Sequence, residues 1–372
     1  MKRIVLLIVL TTFTVQAQKK ASKKPISIAM EKANWEFPND MVEYSTFKGQ
    51  QAAIIKKGAG RGMLSLKDVE FSTGTLEYDV YLTDFSFIGI SFHRQNETEG
   101  KWFYLRTLTI GKPHLGDAIQ YCPTVKGVNL WNLYPQYQSA AVLKANAWNH
   151  IKLEVGKEQM LIYVNDESPT LLIPELLGDS NSGGIAFNGE GMFANLTLHH
   201  QKYPENLDKV GWDATTKNPR YIRDWQTTTP ILFESGREVT EANLPKADAA
   251  WSKIETERAG LVNLSRAFAP REDGKRQLVW LKTTFTANEN KTKKLDLGFT
   301  DEVWMYVNGQ LLYLDKNYYR QPIMKAPNGR CSVENSTVEV PLKKGDNEIL
   351  IAVGNDFFGW GLVARWQNQG RL

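Results

Sequence analysis

Residues 94–134 contain Arg, Asp, Gln, Trp and Tyr side chains that lie close together in the sequence. Guanidinium, carboxylate and amide groups hydrogen-bond to hydroxyls, and Trp and Tyr rings stack on the apolar faces of sugars. Arg94 and Arg106 lie on neighbouring predicted strands, and Asp117 lies just beyond them. The predicted ligand-binding residues are Arg94, Arg106, Asp117, Gln120, Tyr121, Trp131 and Tyr134.

The same side chains also have a purely structural interpretation. Asp117 could form a stabilising ion pair with Arg94 or with Arg106, and Trp131 could be a core residue. The sequence leaves both interpretations of the arginines and Asp117 open. For Trp131 it favours the core.

Strands must position these groups, because helical periodicity is nearly absent. Short runs rich in Val, Ile, Thr, Tyr, Phe and Trp recur between Gly, Asn, Asp and Lys, a pattern typical of β-sandwiches and β-barrels. Only 241–256 could form a short helix or an irregular loop. Predicted strands in the first half are 74–82, 87–93, 101–107, 150–155, 160–164, 184–187 and 193–199. Those in the second half are 231–234, 261–268, 278–287, 294–299, 302–307, 336–342, 348–353 and 361–366.

Residues 203–228, rich in Pro, Asn and charge, separate these two β-rich halves. A chain of 372 residues is also too long for one ordinary core. We therefore predict an all-β protein with two β-sandwich (jelly-roll) domains in tandem, 26–202 and 229–372, joined by the 203–228 linker.

The N-terminus has the features of an export signal. Two basic residues precede an apolar run, and the tripeptide VQA ends at residue 17 as a cleavage site. The run is too short to span a bilayer, which takes about 20 residues. We predict a signal peptide at 1–17, a mobile basic leader at 18–25, and a periplasmic or extracellular protein without a membrane span.

Charge and cysteine content argue against several kinds of partner. Lys and Arg number 45 against 41 Asp and Glu, and loss of Lys2 and Arg3 leaves 43 against 41. This near balance argues against a nucleic-acid partner, which needs a concentrated basic face. Cys122 and Cys331 lie in different predicted domains, and two free buried thiols are favoured over a bridge. The cysteines and five scattered histidines offer no zinc-ligand spacing, so we predict no metal site.

Three segments of the first predicted domain resemble the concanavalin A-like lectin/glucanase sandwich, close to its laminin-G and laminarinase-like members. They are GTLEYDV at 74–80, WNHIKLEV at 148–155 followed by LIYVN, and GGIAF at 183–187 followed by FANLTL. The resemblance implies an exported carbohydrate-active protein whose ligand, an oligo- or polysaccharide, lies across one concave sheet. Because one fold hosts many functions, the resemblance names no reaction.

The second predicted domain resembles the galactose-binding-like jelly roll of β-galactosidase-type glycosidases. The segments that carry this resemblance are LDLGFTDEVWMYVNG at 295–309, VPLKKGDNEILIAV at 340–353 and GWGL at 359–362. It implies a packing or sugar-binding module, with loops 317–320 and 356–360 as binding edges and Asp301 and Glu302 as turn residues. Both families frequently bind calcium, so the resemblance allows a structural calcium ion, but the sequence has no clustered Asp/Asn loop of the calcium-binding type and we predict no cofactor.

Catalysis has less support than binding. Retaining glucanases of the concanavalin A-like fold carry Glu-x-Asp-x-x-Glu on one strand, which holds nucleophile and acid about 5 Å apart. Glu77 and Asp79 match its start, but Leu82 occupies the last position. His93 and His114 could exchange protons, yet no nucleophile motif adjoins them. The sequence favours an exported glycan-binding protein, with a glycoside hydrolase or lyase, or a partner-binding surface protein, as alternatives.

The export prediction can be tested by mass spectrometry. When the full chain is expressed in a bacterium, we expect the exported form to begin at Gln18, because cleavage follows the small residue at position 17. The intact mass of the periplasmic or secreted fraction measures this, with an uncleavable Ala17→Arg variant as control. An exported chain that still carries residues 1–17 would contradict the prediction.

Overall fold

The computed structural model describes residues 24–83, 87–272 and 275–367, and most of its regular structure is antiparallel β. The predicted signal peptide, 1–17, and residues 18–23 of the predicted leader lie outside the described residues. Two pairs of sheets follow one another along the chain. The predicted fold class, all-β with two sandwiches in tandem, is confirmed.

Strands β1–β16 build the first sandwich in two sheets. Sheet I has the order β14-β13-β12-β6-β16-β4-β3, with β1 also paired to β16, and sheet II has the order β10-β9-β8-β7-β15-β5-β2, with β11 also paired to β9. The strands are β1 Ile26–Ile28, β2 Trp35–Glu36, β3 Val42–Phe47, β4 Gln50–Ile55, β5 Met63–Leu66, β6 Gly74–Tyr81, β7 Phe87–Arg94, β8 Gly100–Arg106, β9 Ile119–Val125, β10 Val128–Asn129, β11 Gln138–Ser139, β12 Trp148–Val155, β13 Met160–Val164, β14 Leu171–Ile173, β15 Gly184–Asn188 and β16 Gly191–His200.

Alternation along these strands explains the core between sheets I and II. Leu76, Tyr78 and Val80 of β6 are buried, whereas Glu77 and Asp79 between them point outward. Successive side chains of a strand point to opposite faces, so every second residue of each sheet contributes to one core. The outer face of sheet II is therefore composed of the other half of each strand.

Strands β17–β27 build the second sandwich. Sheet III has the order β19-β17-β21-β26-β23-β24, with β18 also paired to β21, and sheet IV has the order β20-β27-β22-β25. The strands are β17 Trp225–Thr227, β18 Ile231–Phe233, β19 Ser252–Ile254, β20 Val262–Asn263, β21 Arg276–Ala287, β22 Lys291–Phe299, β23 Asp301–Val307, β24 Gln310–Asn317, β25 Ser336–Leu342, β26 Gly345–Asn355 and β27 Gly361–Trp366.

The second sandwich begins earlier than the predicted boundary at 229. Trp225 is fully buried in the second core, and its strand β17 pairs with β19 and β21. Residues 225–228 therefore belong to this sandwich and not to the predicted 203–228 linker. Burial of one indole outweighs the polar composition of the surrounding segment, because a Trp side chain buries a large apolar area.

Helical structure is short throughout the described residues. The α-helix is α1, Leu264–Ala267, and the 3-10 turns are Thr107–Thr109, Pro135–Tyr137, Glu205–Asp208, Glu241–Asn243 and Arg258–Gly260. Within the segment 241–256, only Glu241–Asn243 is helical, as a single 3-10 turn. Over 24–83, 87–272 and 275–367, no helix has the length and apolar character needed to cross a membrane.

The two sandwiches share part of one core. Leu261, Cys331 and Val363 of the second sandwich belong to the same buried cluster as the interior of the first. Cys122 and Cys331 are both buried free thiols, the alternative that the sequence favours. The domains are therefore packed together through apolar contact as well as through polar groups.

Asn132 makes the closest polar connection between the sandwiches. Its Nδ2 donates to the Gly359 carbonyl oxygen at 2.8 Å, its Oδ1 accepts from the Gly359 N–H at 2.9 Å, and its own carbonyl oxygen accepts from the Cys331 N–H at 2.9 Å. A Cβ at position 359 would lie 2.6 Å from Asn132 Oδ1 and 2.8 Å from Leu133 Cγ. Only glycine allows this approach.

Replacement of Asn132 by Ala tests the connection. The variant leaves two buried backbone groups of Gly359 without partners, so we expect the free energy of unfolding to fall by about 2–4 kcal/mol. Urea unfolding measures this, and Asn206→Ala, at an exposed position, should change it by less than about 0.5 kcal/mol. A loss below about 1 kcal/mol for Asn132→Ala would contradict the assignment.

Candidate functional site

The outer face of sheet II presents the side chains of β8 that point away from the core. Trp102, Tyr104 and Arg106 lie on this face, because Phe103 and Leu105 between them are buried in the core of the sandwich. On the neighbouring strand β9, the register pairs Tyr104 with Gln120 and Trp102 with Cys122. Strand pairing therefore brings these side chains together.

Hydrogen bonds join Arg106, Tyr104 and Gln120 into one buried network. Arg106 Nη2 donates to the Tyr104 hydroxyl oxygen at 2.8 Å and also to Gln120 Oε1, to which the Tyr104 hydroxyl donates at 2.9 Å. Arg106 Nη1 donates to the Asp117 carbonyl oxygen at 2.6 Å, and Gln120 Nε2 donates to the Trp131 carbonyl oxygen at 2.7 Å. The network fixes the backbone at residues 117 and 131 against sheet II.

Arg330 of the second sandwich extends this network. Its Nη2 donates to Asp117 Oδ2 at 3.2 Å, and its guanidinium carbon lies 5.2 Å from the centre of the Trp131 ring. Burial, together with the neighbouring charge of Arg106, lowers the pKa of Arg330. Asp117 therefore does form an ion pair, but with an arginine of the other domain.

Aromatic rings surround the open part of this surface. Trp102 is partly exposed and stacks on Tyr104, with ring centroids 4.1 Å apart. Phe357 and Phe358, between β26 and β27, are 39% and 37% exposed. Trp131 is 8% exposed and belongs to a small cluster outside the main core. We call the following residues the aromatic face: Trp102, Tyr104, Trp131, Tyr319, Phe357 and Phe358.

The two predicted binding edges of the second domain meet Trp131. Tyr319, in loop 317–320, packs against its ring at a centroid distance of 4.8 Å, and Phe358, in loop 356–360, does so at 5.9 Å. Loops more than a hundred residues away in sequence therefore complete the surface that the first sandwich begins.

Asp301 positions the 356–360 loop. Its Oδ2 accepts from the backbone N–H groups of Asp356 at 2.7 Å and Phe357 at 2.9 Å, and burial raises its pKa to about 7. Glu302 is fully buried and paired with Arg276. The sequence-based interpretation of Asp301 and Glu302 as turn residues holds for the backbone of Asp301, which has a φ of 55° and is spanned by a hydrogen bond from the Glu302 N–H to the Thr300 carbonyl oxygen at 2.8 Å. It was wrong for Glu302, which lies within strand β23.

Four of the predicted ligand-binding residues come together in this region: Arg106, Asp117, Gln120 and Trp131. Arg94 does not, because Phe87 is the residue of β7 that pairs with Arg106, and Arg94 lies at the other end of the strand. At about 3.4 Å per residue the two arginines are roughly 24 Å apart. Arg94 instead donates to Ser65 Oγ at 3.0 Å.

Tyr121 and Tyr134 also lie away from the outer face of sheet II. Tyr121 follows the outward-pointing Gln120, so it points into the core, where its hydroxyl accepts from the Leu177 N–H at 3.0 Å. Tyr134 lies at the domain junction, where its hydroxyl donates to Glu257 Oε2 at 2.6 Å. Burial raises the pKa of both tyrosines. Neither residue can contact a ligand on this face.

Two residues of the site were missing from the predicted set. Trp102 lies on the same strand as Arg106 and an even number of residues away from it, so both side chains point to the same face. This alternation could have identified Trp102 from the sequence. Arg330 had no local signal, because its partner Asp117 belongs to the other sandwich. Such a contact follows from domain packing alone.

The candidate catalytic carboxylates lie on the other sheet. Glu77 and Asp79 are on the outer face of sheet I, where His150 Nδ1 is 2.8 Å from Asp79 Oδ1 and His150 Nε2 is 3.6 Å from Glu77 Oε2. The hydrogen bond with Asp79 raises the pKa of His150. In the described part of the chain, no group of three or more His, Cys, Asp or Glu side chains could hold a metal ion.

No protein-family model matches this sequence, and neither does any curated protein. A CBM66 carbohydrate-binding module from Bacillus subtilis is 14% identical, with a TM-score of 0.33, and the match covers 44% of this chain and 91% of that one. A protein of unknown function with a galectin-like fold from Bacillus subtilis is 10% identical, with a TM-score of 0.35 and coverages of 48% and 98%. The exoplasmic/lumenal domain of VIP36, in its Ca2+/Man3GlcNAc-bound form, is 10% identical, with a TM-score of 0.34 and coverages of 50% and 94%. Structural similarity at TM-scores this low supports no conclusion about function.

His93 is a core residue and not an exposed acid/base group. Its Nε2 lies 2.6 Å from the Ser72 carbonyl oxygen, and its Nδ1 accepts from the buried Lys101 ammonium at 2.9 Å. Burial, together with the charge of Lys101, lowers the pKa of His93 to about 3. The second histidine, His114, is exposed in the connection between β8 and β9.

The low pKa of His93 predicts a specific loss of stability in acid. Below about pH 6.5 the unfolded chain binds a proton at this residue that the folded chain does not bind until about pH 3. Stability therefore falls as the pH falls through this window, by up to about 1.4 kcal/mol per pH unit. Lys101 is protonated in both the folded and the unfolded chain over this pH window, so it does not contribute to the pH dependence of stability.

His93→Asn removes this titration and tolerates the positive φ of 51° at position 93. We expect urea unfolding between pH 4 and pH 6 to show a flatter pH dependence in this variant, by about 1 kcal/mol per pH unit. His114→Asn, at an exposed position, should keep the wild-type slope. Equal slopes in all three proteins would contradict the assignment of His93.

Proposed function

We propose that this chain is an exported carbohydrate-binding protein whose main site is the aromatic face. The observation that carries this proposal is the exposure of Phe357 and Phe358 next to Tyr319, which packs with the partly exposed Trp102 against one small cluster. Folding alone favours burial of such rings, whereas ligand stacking requires them at the surface. Export rests on the predicted signal peptide, 1–17.

Arg320 supplies exposed donors beside the rings, whereas the buried polar groups nearby orient Trp102. Trp102 Nε1 donates to Asn188 Oδ1 at 2.6 Å, and Asn188 Nδ2 donates to Ser91 Oγ at 3.2 Å. Arg320 is exposed next to Tyr319, with its guanidinium carbon 5.3 Å from that ring. Partly exposed rings with an exposed guanidinium beside them match a pyranose ring, which has apolar faces and a hydroxylated edge.

Binding fits this face better than hydrolysis does. Glycoside hydrolysis uses two carboxyl groups about 5–10 Å apart on either side of the scissile bond. Of the carboxylates near the aromatic face, Asp117 is paired with Arg330, and Asp301 is buried and accepts from the backbone N–H groups of Asp356 and Phe357. Glu77 and Asp79 lie on the outer face of sheet I, on the opposite side of the sandwich.

Substitution of the exposed rings tests the proposal. Trp102→Ala and Phe357→Ala should each weaken retention of the mature protein on its polysaccharide about tenfold or more, because each removes a stacking surface. Affinity electrophoresis against a polysaccharide panel measures retention, and reducing-end release is scored in parallel. Trp148→Ala is the matched control, because this Trp is also partly exposed but lies on the outer face of sheet I.

Each alternative has its own outcome in this experiment. Release of reducing ends would overturn binding without hydrolysis. Retention that Trp148→Ala abolishes and Trp102→Ala preserves would move the site to sheet I. Absence of both retention and release would favour a partner-binding surface protein.

A further inference from the structure

A cleft of about 470 Å³ lies between the two sandwiches, apart from the aromatic face. The first sandwich contributes Tyr134, Gln136, Tyr137 and residues 175–179, and the second contributes residues 254–258 together with Asn263, Arg266 and Ala267. The segment 130–137 separates the two places, since it carries Trp131 on one side and Tyr134 on the other. A concave site at a domain interface is a common location for small-ligand binding.

Glu257 is held in a fixed orientation inside this cleft. Its Oε2 accepts from the Tyr134 hydroxyl at 2.6 Å, and its Oε1 accepts from Asn263 Nδ2 at 3.0 Å and from Arg266 Nε at 2.9 Å. Three donors on one carboxylate leave about one of its four lone-pair positions for a further donor. An oriented acceptor of this kind suits a ligand hydroxyl.

Two ion pairs cross the cleft and are exposed on their acidic side. Arg266 Nη1 lies 2.7 Å from Asp179 Oδ1, and Arg258 Nη1 lies 3.2 Å from Glu175 Oε2. The side chains of Asp179 and Glu175 are 84% and 38% exposed. A ligand hydroxyl that replaces Asp179 or Glu175 leaves a carboxylate that is already partly in water, and it gains a donor from Arg266 or Arg258, whose side chains are 28% and 16% exposed.

The charge balance of the lining selects the kind of ligand. Arg258 and Arg266 face four carboxylates, one of which, Glu255, is paired with Lys253, so the lining carries a small net negative charge that disfavours anions. The four carboxylates are those of Glu175, Asp179, Glu255 and Glu257. Leu176, Ile254 and the Tyr137 ring add apolar walls. The carboxylates and guanidinium groups can hydrogen-bond to neighbouring hydroxyls of an uncharged sugar ring. The apolar walls can contact the face of that ring.

We propose that the interdomain cleft is a second binding site, which takes a neutral saccharide. Glu257 accepts from one ligand hydroxyl, and Arg258 and Arg266 donate to others. Both sandwiches are needed to form the site, because Tyr134 of the first orients Glu257 of the second. The cleft shares no lining residue with the aromatic face, so a side-chain substitution can remove one site and leave the other.

The test introduces bulky side chains into the cleft of a protein that already lacks an exposed ring of the aromatic face. The Trp102→Ala protein is titrated calorimetrically with short neutral oligosaccharides of glucose, xylose, arabinose, mannose and galactose. We expect one of them to bind, and we expect Ala267→Trp and Gln136→Trp, added separately, each to weaken that binding at least tenfold. Both positions are exposed and line opposite walls, so a bulky side chain fills the cleft without removing a contact. Ala247→Trp, at an exposed position elsewhere, should leave the affinity unchanged.

The outcomes separate this proposal from the aromatic face. If wild-type protein binds a saccharide and Trp102→Ala abolishes all binding, the cleft proposal is overturned and the aromatic face stands. If Ala267→Trp and Gln136→Trp both leave the affinity unchanged, the cleft proposal is also overturned. Binding that survives Trp102→Ala but not the cleft-filling variants supports the cleft, and binding of uronic-acid oligosaccharides in preference to neutral ones contradicts the ligand class.

Discussion

The backbone of residues 130–137 passes between the two sandwiches, and hydrogen bonds from both sides decide where it lies. Gln120 of sheet II donates to the Trp131 carbonyl oxygen, while the Cys331 N–H donates to that of Asn132. Gly359 approaches Asn132 so closely that no other residue fits. Because Trp131 faces one candidate site and Tyr134 the other, both sites depend on this one segment.

Buried charge at the junction explains why the two domains act as one body. Arg106 and Arg330 are both buried, and Asp117 is the carboxylate that pairs with Arg330. A buried guanidinium that loses its only carboxylate leaves an uncompensated charge, which is strongly destabilising. Separation of the sandwiches would break this pair and expose the shared core around Leu261 and Val363. The loops of the second domain are thereby held over sheet II.

The alternation of apolar and polar residues predicted most of the strands, but it predicted only in part which side chains point to which face of a sheet. The strand with Trp102, Tyr104 and Arg106 alternates regularly, so its outward face can be deduced from sequence once one member is assigned. Tyr121 shows the corresponding error, because it was grouped with Gln120 although adjacent strand residues point to opposite faces. Trp225 shows another limit of the sequence analysis. The polar composition of the predicted 203–228 linker gave no indication that strand β17 within it is buried.

The sequence by itself determined the all-β class and the two tandem sandwiches, because alternation and turn residues are local properties of the chain. It also identified the aromatic loops around Tyr319 and Phe358. Only the tertiary structure decided which of these residues meet, because the ion pair of Asp117 with Arg330 and the hydrogen bond of Tyr134 with Glu257 join residues of different domains. Such contacts depend on how two finished surfaces fit together, and no spacing within either segment encodes that fit.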